Sequence, residues 1–268
     1  IIFPDNFEYQ SVFSKHTNIQ FIDCEFNKKM IHLNIESICY TQCHFKNNIW
    51  FFDKKDISKT DNIYNLCFDY CTFEEEFNCD FYADNMPRCN ITALNIQNST
   101  FKKSIKFNKC NINSSYMFSN NTIFGTSDFE DITFKEAYFI RNKFNDVVSF
   151  KQSYFDSFTF KENTFDKLAI FEDTTFKSKL NLKGNIFKDE INFLGIKNEN
   201  GKSLETANIV NRETARIIKH SFEKLDNIIE ANKFYALEMQ KREEEVSKEK
   251  NWLDLIVFKF HKISSNHS

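Results

Sequence analysis

Large apolar residues recur along most of this chain at steps of five, with an occasional six. From Phe124 they run through Phe129, Phe134, Phe139, Phe144, Phe150, Phe155, Phe160, Phe165, Phe171, Phe176, Leu182, Phe187 and Phe193. Phe129 to Phe150 spans 21 residues, and Phe150 to Phe171 spans 21 again. A helix needs apolar residues three and four apart, and a half-buried flat strand alternates every two, so neither template fits. Two positions before each large residue sits a smaller side chain: Ser127, Ile132, Ala137, Asn142, Val148, Ser153, Asn163, Ala169, Thr174 and Asn185, with Phe158, Leu180 and Ile191 as larger exceptions. Residues two apart on an extended segment share a face. Each five-residue unit therefore sends one large and one small side chain inward and turns a corner with the rest. Four such sides close a square turn of roughly 20 residues, at the short end of solenoid repeats. Stacked turns then pair their edges at about 4.8 Å. The pattern is sharp from about residue 99 to 194 and looser from about 20 to 81.

Two stretches break the register, near residues 52–65 and 82–90. The first carries Asp53, Lys54, Lys55, Asp56, Lys59 and Asp61; the second carries Asp84, Asn85, Pro87 and Arg88. Both read as loops projecting from the coil. Loops on a rigid scaffold are frequent carriers of function, which makes these residues candidates for partner binding. An insertion in a surface turn is the plainer alternative.

The triplets Ser127-Asp128-Phe129, Asn142-Lys143-Phe144 and Asn163-Thr164-Phe165 resemble the small–Asp/Asn–Leu/Phe core of the pentapeptide-repeat family. That resemblance implies a mainly β chain, a right-handed quadrilateral β-helix over residues 1–195, serving as a binding or mimicry surface rather than a catalyst.

Gly195 to Gly201 is the clearest punctuation in the chain, and beyond it, from about Ser203 to Lys250, the apolar period changes to three and four. Ala215, Phe222, Ile229 and Ala236 take one heptad position, and Ile218, Leu225, Asn232 and Met239 the other. One long amphipathic helix follows from this, expected to cap the last turn or to form a coiled-coil homodimer with Asn232 setting register. The next segment carries Trp252, Leu255, Ile256 and Phe260 beside Lys259 and Lys262. It suits a membrane interface or a short helix folded back on the domain. The stretches Asn211–His220 and Ala231–Gln240 resemble the linkers of bacterial pentapeptide-repeat proteins that continue into membrane spans. The chain opens at Ile1 and closes in Ser-Ser-Asn-His-Ser, and so reads as part of a longer protein.

Composition sharpens the picture. Thirty-three Phe stand against 4 Gly, 2 Pro and 2 Trp, and their fixed spacing sets them apart from compositional bias. With 35 basic and 38 acidic residues and a net charge of −3, there is no polybasic footprint, so no nucleic-acid partner is expected. No apolar run is long enough to span a bilayer and no signal peptide opens the chain.

The eight Cys are expected as reduced thiols in a cytoplasmic setting. Cys24, Cys43, Cys71, Cys79 and Cys110 each precede an apolar residue by two, the small inward position. Cys39-x-x-x-Cys43-His44 and Cys67-x-x-x-Cys71 invite a zinc reading. In the repeat register, however, Cys43 and Cys71 face in while Cys39 and Cys67 face out, so neither pair chelates one ion easily. The acidic run Glu74-Glu75-Glu76 beside Asp80 reads as a solvated turn. The six His are scattered and four Gly build no phosphate loop, so no catalytic, cofactor or metal constellation is expected.

The favoured reading is a non-enzymatic interaction scaffold from the cytoplasmic side of a membrane-associated bacterial protein, with an unidentified protein partner. The alternatives are a DNA-mimicking pentapeptide protein that binds a topoisomerase such as gyrase, and a metal-binding module.

Overall fold

The computed structural model describes residues 18–27, 30–31, 37–50, 62–80 and 88–248. Its body is a parallel β-solenoid of three sheets, one of nine strands and two of eight. Every third strand is a hydrogen-bonded neighbour, so each turn gives one strand to each sheet.

The long strands of the largest sheet carry two large inward residues each. Thr133–Ile140 pairs in register with Tyr154–Lys161, setting Phe134 against Phe155 and Phe139 against Phe160. The other two sheets carry one each: Lys143–Phe144 pairs with Thr164–Phe165, and Val148–Ser149 with Ala169–Ile170. Four large residues thus enter each turn, as a four-sided coil requires. Phe134 and Phe155 stack at 4.8 Å, Phe139 and Phe160 at 4.9 Å, Phe144 and Phe165 at 5.1 Å, and Phe150 and Phe171 at 5.1 Å between ring centroids. Neighbouring columns meet edge to face, as Phe139 meets Phe150 at 87°, an arrangement that ring quadrupoles favour.

In the described turns from Asn98 onward, two corners hold a left-handed backbone. One holds Asn98, Asn120, Arg141, Glu162 and Gly184; the other holds Lys109, Asp131, Gln152, Asp173 and Gly195, all with positive φ. Most of these are not glycine, although αL costs other residues roughly 1–2 kcal/mol. Each turn offsets that cost with a bond to the next: Arg141 N–H donates to Lys161 O at 2.9 Å, and Gln152 N–H to Glu172 O at 2.9 Å.

Three details depart from the sequence reading. Phe124 is 55% exposed, whereas Ile123 is fully buried and pairs between Phe101 and Phe144. A one-residue slip reverses the face of a strand residue, and here it favours Ile123. The interruptions are also shorter than expected: strands resume at Asn62 and Cys89, where Ile63 pairs with Ile91. Finally, the position of Ala137 is filled by Tyr116 one turn earlier and Phe158 one turn later. The small Ala137 gives space to the large ring on either side, which explains the Phe158 exception.

Beyond the last strand, Lys197–Asn198, come two helices in place of one. These are α1 (Arg212–Lys224) and α2 (Ile228–Lys248). Asn211 caps α1, its Oδ1 accepting the Thr214 N–H at 2.9 Å. The helix ends in a paired-bond cap with Asp226 at φ 54. Asn227 N–H reaches Phe222 O at 2.9 Å, and Asp226 N–H reaches Glu223 O at 3.1 Å. The continuous heptad is therefore broken at Leu225–Asn227. Phe222 stacks on Phe234 at 5.6 Å, Arg216 and Lys219 pair with Glu238, and Arg212 pairs with Glu245. Partner numbers rise as the others fall, so the helices form an antiparallel hairpin. Ala215, Ile218, Phe222, Ala231 and Phe234 join the solenoid core, and Thr214 Oγ1 accepts the Leu182 N–H at 2.9 Å. The hairpin thus packs against the end of the solenoid.

Candidate interaction surface

The interior is filled by stacked rings and by a polar column. Immediately after the first αL corner of each turn comes one inward residue: Cys24, Cys43, Cys71, Ser99, Asn121, Asn142, Asn163 and Asn185, all buried. The thiols donate to nearby carbonyls, Cys24 to Ile22 O at 3.3 Å and Cys43 to Thr41 O at 3.4 Å. The adjacent Cys43, together with burial, holds the Cys71 thiol protonated. Cys79 and Cys110 are likewise buried, 4.0 Å apart between sulfurs, so these thiols are enclosed by the coil. Surfaces available to partners therefore lie outside the tube.

On the outer faces, acids and bases alternate along the axis. Glu74 lies between His44 on one turn (2.7 Å) and Lys102 on the next (2.9 Å). Asp166 lies between Lys188 (2.7 Å) and Lys143 (3.8 Å), and Asp156 between Lys135 and Lys177. The Lys102 and His44 contacts hold Glu74 below the usual carboxylate range, and Lys135 and Lys177 do the same for Asp156. Each of these carboxylates thus pairs with the turns above and below it. Exposed pairs of this kind add little stability singly, but they leave no uninterrupted acidic stripe on these rows.

Of the expected loop residues, Arg88 alone is described. Its Nη1 reaches Asp131 Oδ1 at 2.9 Å and its Nη2 contacts Asp131 O, so it braces an αL corner. Asp53, Lys54, Lys55, Asp56, Lys59, Asp61, Asp84, Asn85 and Pro87 lie outside the described residues, as do Trp252, Leu255, Ile256 and Phe260. Among the described residues no helix is long and apolar enough to cross a membrane.

The cap divides the expected helix residues. Ile218 and Phe222 are buried and Met239 is half-buried, while Leu225, Ile229 and Asn232 are exposed. The turn of the hairpin gathers Leu225 (42% exposed), Ile228 (56%) and Ile229 (75%) into one apolar tip. Beside it, a cleft of about 400 Å³ runs between α1 and the last turn, lined by Ile186, Ile191, Ile217, His220 and Lys224. Sequence reasoning missed this tip because it treated the apolar stripe as continuous. The signal was Asp226-Asn227, a pair that tolerates αL and then caps the next helix, with Glu230 N–H on Asn227 Oδ1 at 3.3 Å.

Fold and surface together define a parallel β-solenoid closed at one end by a helical hairpin. No protein-family model matches the chain, and no curated protein or solved structure matches it either.

Proposed function

We propose that this chain is a pentapeptide-repeat protein that acts as a non-enzymatic interaction scaffold at the cytoplasmic face of a bacterial membrane. The solenoid serves as a stiff spacer, and the hairpin tip is the contact surface, its occupant a second copy of the chain. The observation that carries this reading is the tip itself: Leu225, Ile228 and Ile229 are exposed together while Ala215, Ile218, Phe222 and Phe234 on the same hairpin are buried. Apolar residues clustered on an exposed turn mark interaction sites more often than scattered ones do. A two-fold pairing would set the tip of one copy against the same tip of the other, the self-complementary patch that isologous dimers use.

Support for a scaffold over a DNA mimic comes from the interleaved charges, since mimicry needs a continuous acidic face. Sedimentation of the chain across a concentration series tests the reading. Reversible self-association abolished by Ile229→Glu is expected, and a monomer at every concentration would refute the self-contact. A gyrase supercoiling assay is expected to show no protection.

A further inference from the structure

Five of the described cysteines, Cys24, Cys43, Cys71, Cys79 and Cys110, are interior thiols. Cys39 and Cys67 are different. Both are half-buried on the outward side of the strands Ser37–Thr41 and Asn62–Asp69, and the register of those strands sets Cys39 directly opposite Cys67. Cys39 and Cys67, which face outward, are therefore neighbours on consecutive turns.

Neighbouring strands stand ~4.8 Å apart, and paired side chains leave them in the same direction. Both cysteines are free thiols, and a disulfide would need their Cβ atoms drawn to roughly 3.5–4.5 Å and the side chains turned toward each other. A metal–thiolate bond is roughly 2.3 Å, so two thiolates on opposite sides of one cation stand about 4.6 Å apart. Strand spacing supplies that separation with no backbone movement. The same outward row continues with Gln20 beside Cys39 and Asn95 beside Cys67. Among the described residues no group of three or more His, Cys, Asp or Glu gathers to hold a metal. Zinc takes four ligands, whereas thiolates select copper(I), a soft cation content with two.

We propose that Cys39 and Cys67 form a two-thiolate site for a soft monovalent cation of the copper(I) class, bridging two turns of the solenoid. On binding, each sulfur forms a bond to the cation and each S–H proton passes to solvent. Two thiols and one monovalent cation give a singly negative bis-thiolate complex and two protons, with no change of oxidation state. The site stands apart from the hairpin tip and does not depend on it.

The test is anaerobic titration of the full reduced chain with copper(I), buffered by a competing chromogenic chelator. The tightest step should take one cation per chain. Its affinity should fall at least about 100-fold in Cys39→Ser and in Cys67→Ser, exceeding the usual cost of an outer-sphere change. Cys43→Ser, an interior control, should retain it. One equivalent of copper(I) should also protect Cys39 and Cys67 from iodoacetamide in the unaltered chain, a readout that needs no variant to fold. Absence of a one-to-one step, unchanged affinity in both outward variants, or equal loss in Cys43→Ser would overturn the assignment.

Discussion

Asn142 and Asn163 occupy the same inward position on consecutive turns, and Nδ2 of Asn142 donates to Oδ1 of Asn163 at 3.0 Å. Oδ1 of Asn163 also accepts the Asn142 backbone N–H at 3.0 Å, while its Nδ2 donates to Phe139 O at 2.7 Å and to Asn185 Oδ1 at 3.0 Å. Both donors and both acceptor sites of the amide are used. A buried polar network of this kind stabilises when complete and is costly when cut.

Asn163→Ala should therefore destabilise the chain by about 3 kcal/mol, because it strands the Asn142 N–H groups and the Phe139 carbonyl. Urea unfolding measures this, and a midpoint equal to wild type would contradict the ladder.

Phe139→Ala or Phe160→Ala should cost roughly 3–5 kcal/mol, the range for deleting a core ring. Both residues lie in the stacked interior, 0% and 4% exposed. Phe124→Ala, at a ring the structure places outside, should shift the same urea midpoint very little.

Gln152 sits at φ 56 with its N–H bonded to the next turn. Gln152→Val should lower stability by about 1–2 kcal/mol, since a β-branched residue resists αL. Gln152→Gly should be at least as stable as Gln152→Val by a similar margin, and thermal melts of the two side by side decide it.

Glu238 is buried between Arg216 at 2.8 Å and Lys219 at 2.9 Å. Burial pushes its carboxyl up, but Lys219 and Arg216 outweigh it, and the net shift is down. A carboxyl depressed on folding gives stability that is present above the unfolded value, about 4.3, and lost as pH falls through the folded one. Glu238→Gln should therefore weaken the cap by about 2 kcal/mol at neutral pH. The difference from wild type should shrink steadily below about pH 4. Paired urea melts at neutral and acid pH provide the measurement.

The solenoid was legible because its signal is repeated: each inward Phe is restated on the next turn. What escaped was local and singular. The Asp226-Asn227 break is two residues inside an otherwise valid heptad, and the apolar stripe on either side of it continues to fit one helix. Phe124 was misplaced because hydrophobicity alone cannot choose between adjacent Ile123 and Phe124; the pairing of Ile123 with Phe101 and Phe144 does. The outward cysteines were correctly assigned to the outer face, but their meeting was hidden. Their spacing is 28 residues, not 21, because the chain between Trp50 and Asn62 interposes extra residues. Only strand pairing restores that register.

The column that begins as Cys24, Cys43 and Cys71 and ends as Asn121, Asn142, Asn163 and Asn185 changes from weak sulfur contacts to a saturated amide chain. In a repeat array, resistance to opening is summed turn by turn. A molecule pulled by its two ends should consequently peel from the thiol-bearing turns first, leaving the amide-bearing turns and their helical plug as the last structure to yield under load.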